Sequence, residues 1–254
     1  MNIKVVIPAH LDSVRLKRKV LLDIKGLPMI EHVRRRVLLA KSVDKVYVAT
    51  GDYSIKKIVE NYGGEVIFTK KRHLNGTSRV SEAVSKIDCS HLVLVQGDEP
   101  LLIPNYIDKF IIEMKKTRKE KMWNAVSRFD KKFINEPSVV KCFLDANENI
   151  IICFRKSPIS YEKSNFSRIF YKIQGLIAYE KYFLNEIVSM KQTIFEKLES
   201  IEQMRAIEYG KKIKAIHLPK ALPSVNNISD LKVVKKILTY DLTQQKIFNK
   251  INYK

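Results

Sequence analysis

Apolar and polar positions along the first half of the chain alternate in blocks that predict strands followed by helices. The continuous apolar run Ile3–Pro8 is typical of a parallel strand that is covered on both faces. Further strands are predicted at 45–50, 66–69 and 92–96, and helices at 29–41, 54–62, 80–87 and 104 to about 116. Such a βαβ series predicts an α/β fold with a doubly wound, mostly parallel sheet and helices on both faces.

The pattern changes after about residue 122. Two apolar runs, 139–144 and 150–154, flank a polar stretch and predict a β-hairpin. Residues 188–210 are predicted to be mostly helical, 212–218 to form a strand and 229–238 a last helix, after which the Lys- and Asn-rich tail is expected to fray. We therefore predict one domain, 1–254, with a small β-rich insert at about 122–190 that covers the sheet and supplies the pocket of a second substrate.

Composition agrees with a protein that has a full core and lies in the cytoplasm. The chain has 254 residues, of which 45% are hydrophobic. No apolar run approaches the roughly 20 residues that span a bilayer, and no signal-peptide pattern precedes the first strand. Cys89, Cys142 and Cys153 lack the spacing of metal ligands, so we expect buried, reduced thiols.

The formal net charge of +20 raises the possibility of a nucleic-acid partner. However, the Lys and Arg residues are scattered over the whole chain, without a zinc finger, an aromatic RNA-binding strand or a basic region with heptads. The densest cluster, Arg34-Arg35-Arg36, falls within a predicted helix and is expected to be a solvated face. Nucleic acid is therefore the less favoured partner, while the positive field favours anionic substrates.

Two loops at predicted strand ends carry candidate chemistry. The loop after the first strand holds cations suited to a polyphosphate, without the glycine spacing of a Walker A motif: Ser13, Arg15, Lys17, Arg18 and Lys19. After the fourth strand comes Gln96-Gly97-Asp98-Glu99-Pro100, where Asp98 is a hard oxygen ligand suited to Mg²⁺. Alone, the first loop could be surface decoration and Asp98 a turn or cap residue. Together, at the carboxyl ends of parallel strands, they predict a site for a metal-bound nucleoside triphosphate.

A set of short motifs then identifies a family. The motifs occur in this order: Ile7-Pro8-Ala9, Ser13, Arg15, Lys19, Gly26-Leu27-Pro28-Met29-Ile30, Val48-Ala49-Thr50, Gly63-Gly64, Gly76-Thr77-x-Arg79, Val95-Gln96-Gly97-Asp98-Glu99-Pro100, Pro137-x-x-Val140-Lys141, Glu196-x-x-Glu199-x-x-Glu202-Gln203-x-Arg205 and Glu208-Tyr209-Gly210-x-Lys212-Ile213. Over residues 3–238 the chain resembles 3-deoxy-manno-octulosonate cytidylyltransferase, the CMP-Kdo synthetase of lipopolysaccharide synthesis.

The resemblance implies an α/β cytidylyltransferase, usually a homodimer, that joins CTP and Kdo with the help of Mg²⁺ to give CMP-Kdo and pyrophosphate. It implies that Arg15, Lys19 and Asp98 carry the catalysis. Its nucleotide-binding positions are Pro8, Ala9, His10, Arg15, Lys19, Asn75, Gly76, Thr77, Arg79 and Gln96. Its sugar-binding positions are Lys156, Gln174, Glu202 and Gln203, and its metal positions are Asp98 and Asn226. The insert would contribute to the sugar pocket and to dimer contacts.

One motif also predicts local structure. Glu196, Glu199, Glu202 and Arg205 are three residues apart and are expected to share one side of a helix. Only Glu202, with the neighbouring Gln203, is assigned to the sugar. The alternative for this run is a solvated helix with surface ion pairs.

Several departures from the family pattern fall inside the implied site. They are His10 for Arg, Lys17-Arg18 for Pro-Gly, Gly51 for Asp, Asn75 for Ser, Lys156 for Arg, Gln174 for His, and Asn226 for the Asp that is a second metal ligand. Three explanations stay open: a related acid sugar as acceptor, CMP-Kdo synthesis with weaker magnesium affinity, or a nucleotide-binding paralogue without turnover. Retention of Arg15, Lys19, Gln96 and Asp98 favours an active enzyme.

Overall fold

The structure is a computed structural model that describes residues 1–13, 15–128, 133, 136–156 and 169–252. The chain forms two compact units. The first comprises Met1–Asp108 and Leu222–Lys254, and the second Lys109–Ala221. The predicted arrangement of one domain with an insert at about 122–190 stays a prediction.

The first unit is built on a parallel sheet of β1 (Ile3–Pro8), β4 (Val46–Thr50), β5 (Glu65–Phe68) and β6 (His91–Val95), in the order β6-β1-β4-β5. Its other elements are the hairpin β2 (Asp23–Ile24) and β3 (Leu27–Pro28), and the helices α1 (Met29–Leu38), α2 (Tyr53–Asn61), α3 (Gly76–Val84), α4 (Pro104–Lys116), α8 (Ile228–Tyr240) and α9 (Leu242–Ile251), of which α4 continues into the second unit. The central strands are buried along almost their whole length, which is why they are apolar throughout.

Most predicted boundaries in this unit lie within a few residues of the observed ones. Helix α2 ends at Asn61, and Gly63, just after the C-cap Tyr62, has a φ of +72°, the predicted left-handed conformation. Helix α3 starts at Gly76 rather than at residue 80, because Asn75 and Ser78 form a capping box there. The prediction of a frayed tail was wrong: residues 242–251 form α9, which begins with a cap by Asp241 and ends with the buried Ile251.

The expectation that Arg34-Arg35-Arg36 is a solvated face was also wrong, because all three side chains are buried. Arg34 and Arg35 form ion pairs with the buried Glu31, and Arg35 also donates to the Ile251 carbonyl oxygen of α9. Arg36 donates to the Leu102 carbonyl oxygen. Segments distant in sequence therefore cover this side of α1, and the guanidinium groups donate hydrogen bonds to the backbone carbonyl oxygens of those segments.

The second unit carries the antiparallel part of the fold. Strand β7 (Met122–Ser127) pairs in parallel with β11 (Lys214–His217) and in antiparallel with the ten-residue β10 (Tyr171–Glu180), which was not predicted. The predicted hairpin is confirmed as β8 (Lys141–Leu144) and β9 (Ile150–Phe154), and β8 also pairs with β10. Together, the two units contain the predicted mostly parallel α/β fold with a β-rich part.

The run 188–210, predicted to be mostly helical, contains the end of α5 (Lys181–Ser189) and two short helices, α6 (Ile194–Glu199) and α7 (Gln203–Glu208). Ser200, with a φ of +53°, ends α6. The prediction that Glu196, Glu199, Glu202 and Arg205 share one helix was therefore wrong. Arg205 instead reaches back from α7 to Glu196 of α6, with Nη2 and Nε donating at 2.6 and 2.7 Å. This pair is buried rather than solvated.

The three cysteines are buried thiols outside any disulfide, as expected. Desolvation raises the pKa of the Cys142 and Cys153 thiols, which keeps them protonated and unreactive. None of the helices in the described ranges combines the length and the apolar character needed to cross a membrane.

Candidate functional site

A cavity of about 420 Å³ lies in the first unit, where β1, β5 and β6 end and α3 begins. Parallel strands place their carboxyl ends at one edge, so the loops that follow them converge. Of the residues predicted to bind nucleotide or metal, these line the cavity: Pro8, Ala9, His10, Lys19, Asn75, Gly76, Arg79, Gln96 and Asp98.

Lys19 and Asp98 form an ion pair at this cavity, with 2.6 Å between Nζ and Oδ2. Lys19 Nζ also donates to the Val225 carbonyl oxygen at 3.1 Å, and the Val225 amide donates to the Asp98 carbonyl oxygen at 2.9 Å. The two side chains keep 15% and 23% of their surface exposed. A charged ligand can therefore reach both partners.

Arg15 and Asn226 form a second pair, in which Arg15 Nη2 donates to Asn226 Oδ1 at 3.0 Å. The described residues that line the cavity do not include Arg15, Asn226 or Thr77. Thr77 is buried in the first turn of α3. Asn226 nevertheless adjoins Val225 and so lies beside the Lys19–Asp98 pair. Asp230 accepts from the Asn226 and Asn227 amides as part of the α8 cap, so its carboxylate is already used.

His10 adds no positive charge to the cavity at neutral pH. Desolvation lowers the pKa of its imidazole, and the nearby Arg79 guanidinium acts in the same direction. Because a neutral imidazole has one donor, the site needs other cations to match a triphosphate.

Two such cations, Lys71 and Arg72, lie in a segment that the sequence predictions missed. Lys71, Arg72, His73 and Leu74 line the cavity from the segment between β5 and α3. Their signal was available, because the strand-end argument applies to β5 as it does to β1 and β6, and Lys71-Arg72 is a cationic pair. Arg79, predicted to contact the nucleotide, donates to this segment: its Nη1 and Nη2 lie 3.0 Å from the Lys70 and Lys71 carbonyl oxygens.

The predicted sugar-binding residues all belong to the second unit, and two of them share a partner. Gln203 Nε2 donates to Asn124 Oδ1 at 2.9 Å, and Asn124 Nδ2 donates to the Gln174 carbonyl oxygen at 3.0 Å. Gln174 is buried, and its side-chain Nε2 has no hydrogen-bond partner within the described chain. Glu202 is half-buried at the start of α7, and Lys156 is exposed at the end of a described range.

The oxygen donors at and beside the cavity fit a magnesium ion that takes only one or two ligands from the protein. Asp98 offers a carboxylate and Asn226 an amide oxygen, whereas no group of three or more His, Cys, Asp or Glu residues in the described ranges is placed to hold a metal. Mg²⁺ commonly takes one or two protein oxygens and fills its other positions with phosphates and waters.

Comparison with known proteins identifies the family. A sequence profile described as Cytidylyltransferase matches residues 4–213. The chain belongs to the cytidylyltransferase family.

Relatives in this family align over nearly their full length. The chain is 34% identical to the 8-amino-3,8-dideoxy-manno-octulosonate cytidylyltransferase of Shewanella pealeana, covering 95% of this chain and 100% of the relative. It is 35% identical to the 3-deoxy-manno-octulosonate cytidylyltransferase of Chlorobium limicola, covering 94% and 98%.

A solved structure gives the same family. CMP:2-keto-3-deoxy-manno-octonic acid synthetase, determined in complex with CTP, matches with a TM-score of 0.88 and 29% identity over 95% of this chain and all of that chain. A cytidylyltransferase from Leptospira borgpetersenii, at 14% identity and a TM-score of 0.67, matches in fold.

Proposed function

We propose that this cytidylyltransferase transfers the cytidylyl group of CTP to a 3-deoxy-2-ulosonic acid sugar, Kdo or a close relative of it. The observation that carries the proposal is the cavity at the strand ends, where Lys19 and Asp98 present opposite charges beside Gln96 and the cationic segment 71–73. A cytoplasmic location agrees with a substrate drawn from the cytoplasmic nucleotide pool.

The reaction is an in-line displacement at phosphorus. The anomeric hydroxyl oxygen of the sugar attacks the α-phosphorus of CTP, the bond to the bridging oxygen breaks, and pyrophosphate leaves while the hydroxyl proton is lost. The protein's task is to hold the triphosphate and offset the charge that develops on it. Lys19 and Arg15 are the proposed phosphate contacts, and the Lys71-Arg72 pair adds charge where His10 is neutral.

Magnesium is the proposed metal, with Asp98 as its carboxylate ligand and Asn226 as a neutral second one. When bound, Mg²⁺ would neutralise phosphate charge and polarise the phosphoryl oxygens. Without ligand, Lys19 and Asp98 neutralise each other. In the complex Lys19 would bind the phosphates and Asp98 the metal. The ion pair of the unliganded protein therefore keeps both side chains at the positions from which they would bind.

The acceptor is proposed to contact Gln174, Gln203, Glu202 and Lys156. The buried, unpartnered Nε2 of Gln174 supports this, because a buried donor is costly unless a ligand accepts from it. Relatives named for Kdo and for its 8-amino derivative match this chain almost equally, at 35% and 34% identity. Both sugars therefore belong in the test.

The experiment is to incubate the purified protein with CTP and Mg²⁺ and a panel that contains Kdo, 8-amino-3,8-dideoxy-Kdo and other 3-deoxy-2-ulosonic acids. Mass spectrometry of the CMP-sugar and a pyrophosphate assay give the product and its rate. We expect one of the first two sugars to be used best. Failure with every sugar, while CTP still binds, would identify a nucleotide-binding paralogue without turnover.

Asp98→Asn is expected to lower kcat by at least about 100-fold, because it removes the carboxylate assigned to the metal. The matched control is Asp44→Asn, which makes the same change at an exposed residue of the first unit and should leave turnover unchanged. Near-normal turnover of Asp98→Asn would remove this residue from the catalytic site.

A homodimer is proposed as well. Three large apolar side chains of α6 are strongly exposed, namely Ile194 at 72%, Phe195 at 55% and Leu198 at 74%. Such a patch favours a protein contact surface. The mass in solution, measured by light scattering, tests the proposal.

A further inference from the structure

The segment 70–73 forms a wall of the cavity and has little regular structure of its own. It lies between β5 and α3, and Lys71, Arg72 and His73 line the cavity. A loop with three cationic or titratable side chains loses entropy when it orders around an anion. Whether it is already held in place therefore affects the affinity of the site.

Gly51 provides the space that the segment occupies. A Cβ atom at this position would lie 2.5 Å from the Lys70 carbonyl oxygen and 2.6 Å from the Lys71 Cα. Those atoms belong to the backbone, so neither could rotate away. Any larger residue at position 51 would have to push the segment 70–73 off the end of β4.

Glu82 of α3 holds the segment from the other side. Its two carboxylate oxygens accept from the Lys70 amide at 3.1 and 3.2 Å, and Oε2 also lies 2.9 Å from His73 Nε2. Although desolvation acts to raise the pKa of Glu82, the Lys70 amide, Lys86 and His73 hold it below its usual value. The carboxylate is therefore ionised and its hydrogen bonds to the segment are charge-assisted. Glu82 itself is not among the residues that line the cavity.

Arg79 binds the carbonyl side of the same segment. Its guanidinium donates to the Lys70 and Lys71 carbonyl oxygens and, at 2.7 Å, to Thr69 Oγ1. Two side chains of α3 therefore bind the backbone of this segment: Glu82 accepts from its amide and Arg79 donates to its carbonyl oxygens. The missing side chain at Gly51 leaves space for the segment on its other side.

We propose that Glu82 is a positioning residue for the nucleotide: together with Gly51 it holds the segment 70–73 so that Lys71, Arg72 and His73 face the bound triphosphate. The identity of that ligand rests on the proposed function, whereas the fixation of the segment does not.

Electrostatics and positioning predict opposite signs for Glu82→Ala. Removing a negative charge near an anion site would by itself strengthen nucleotide binding. If Glu82 acts by positioning, the KM for CTP should instead rise about tenfold, with kcat at saturating CTP and the KM for the sugar within about twofold of wild type.

Glu82→Gln loses the same charge but keeps an oxygen for the Lys70 amide, so it should recover most of the affinity. Glu60→Ala, an exposed carboxylate of α2, is the control.

A double-mutant cycle tests whether Gly51 and Glu82 act through one segment. Gly51→Ala should also raise the KM for CTP, and Gly51→Ala with Glu82→Ala should raise it less than the product of the two single effects. Equal or tighter CTP binding in Glu82→Ala, or a double variant whose effects multiply, would overturn the proposal.

Amide hydrogen exchange of the unliganded protein supplies a readout without activity. Exchange in residues 70–73 should quicken in Glu82→Ala and stay near wild type in Glu82→Gln and Glu60→Ala. Unchanged exchange in Glu82→Ala would show that the carboxylate does not hold the segment. If wild type makes no CMP-sugar, the proposed function fails, while direct titration with CTP and the exchange pattern still decide the positioning role.

Discussion

Two cations near Val225, Lys19 and Arg15, donate to different kinds of acceptor. Lys19 binds the Asp98 carboxylate, whereas Arg15 binds the neutral amide oxygen of Asn226. The resemblance to the family implies an aspartate at position 226, so this chain has one negative charge fewer at the predicted metal site. Arg15 is therefore paired with a neutral acceptor here, and the predicted metal position has one negative charge fewer than the family pattern implies.

Asn226→Asp should lower the magnesium concentration that gives half-maximal activity, because it adds a charged oxygen ligand. The new carboxylate would also attract Arg15, so the KM for CTP should not fall. A magnesium titration of initial rates measures the first effect. An unchanged titration would show that position 226 does not contact the metal, and Asn227→Asp, at the α8 cap, is the neighbouring control.

At the scale of elements, the N-terminal cap of α3 determines where this helix begins beside the cavity. Asn75 Oδ1 accepts from the Ser78 amide at 2.9 Å, and Ser78 Oγ lies 3.2 Å from the Asn75 amide, which fixes where α3 begins. Asn and Ser are both good N-cap residues, so the departure from the family's Ser at this position preserves the local structure. The start of α3 was predicted four residues too late because its first turn, Gly76-Thr77-Ser78-Arg79, is not apolar.

Asn75→Ala should lower the free energy of unfolding by about 1 kcal/mol, whereas Asn75→Ser should cost little. Urea denaturation followed by circular dichroism measures both. If the serine variant is destabilised as much as the alanine variant, the side chain of Asn75 has a role other than capping.

Helix α1 also contains a buried histidine that should make stability depend on pH. Burial lowers the pKa of His32 to about 4; its Nε2 lies 2.7 Å from the Ile24 carbonyl oxygen, and Nδ1 has no hydrogen-bond partner in the described chain. Since a carbonyl only accepts, Nε2 carries the proton of the neutral ring. Arg36 and Arg35 oppose a second proton and Asp23 favours it.

A depressed histidine pKa means that the unfolded chain binds more protons between pH 6.5 and 4. Stability should therefore be full above pH 6.5 and fall as the pH drops, by about 2 kcal/mol from pH 7 to 5 for this group. Denaturation of wild type and His32→Gln at both pH values isolates the contribution. The variant should lose less stability than wild type, and equal losses would contradict the assignment.

The whole molecule carries a large positive charge that is only partly available to a polyanion. The +20 is the excess of 47 Lys and Arg over 27 Asp and Glu residues. The densest basic cluster, Arg34-Arg35-Arg36 of α1, is buried in ion pairs and contacts with carbonyl oxygens. The cationic side chains of Lys19, Lys71, Arg72 and Arg79 line the cavity. This distribution favours a small polyanion over a nucleic-acid surface.

We therefore expect CTP with Mg²⁺, at 100 times its Kd, to stabilise the protein by about 3 kcal/mol, and DNA to have no comparable effect. Thermal denaturation with each ligand measures the difference. The nucleic-acid alternative would be supported by a shift in the electrophoretic mobility of DNA at submicromolar protein, with an affinity that falls steeply with salt, together with no effect of CTP on the melting temperature.

The sequence by itself determined the elements that rest on local patterns and the loops that carry the chemistry. Continuous apolar runs gave β1, β4, β5 and β6, and the strand-end rule gave Lys19, Gln96 and Asp98 at one cavity. These predictions depend on neighbours in sequence, or on a general property of parallel sheets, and so a single chain suffices for them.

Only the tertiary structure decided which polar groups face a ligand and which face the protein. The sequence predicted Arg34-Arg35-Arg36 to be solvated, whereas in the structure Arg35 contacts α9. From the sequence, Gly51 is only a departure from the family's aspartate, whereas in the structure the backbone of Lys70 and Lys71 occupies the space that a side chain would need. Glu82 gave no signal as one carboxylate among many on a helix. Burial and hydrogen bonding between distant segments depend on packing, and no local pattern of residue types contains that information.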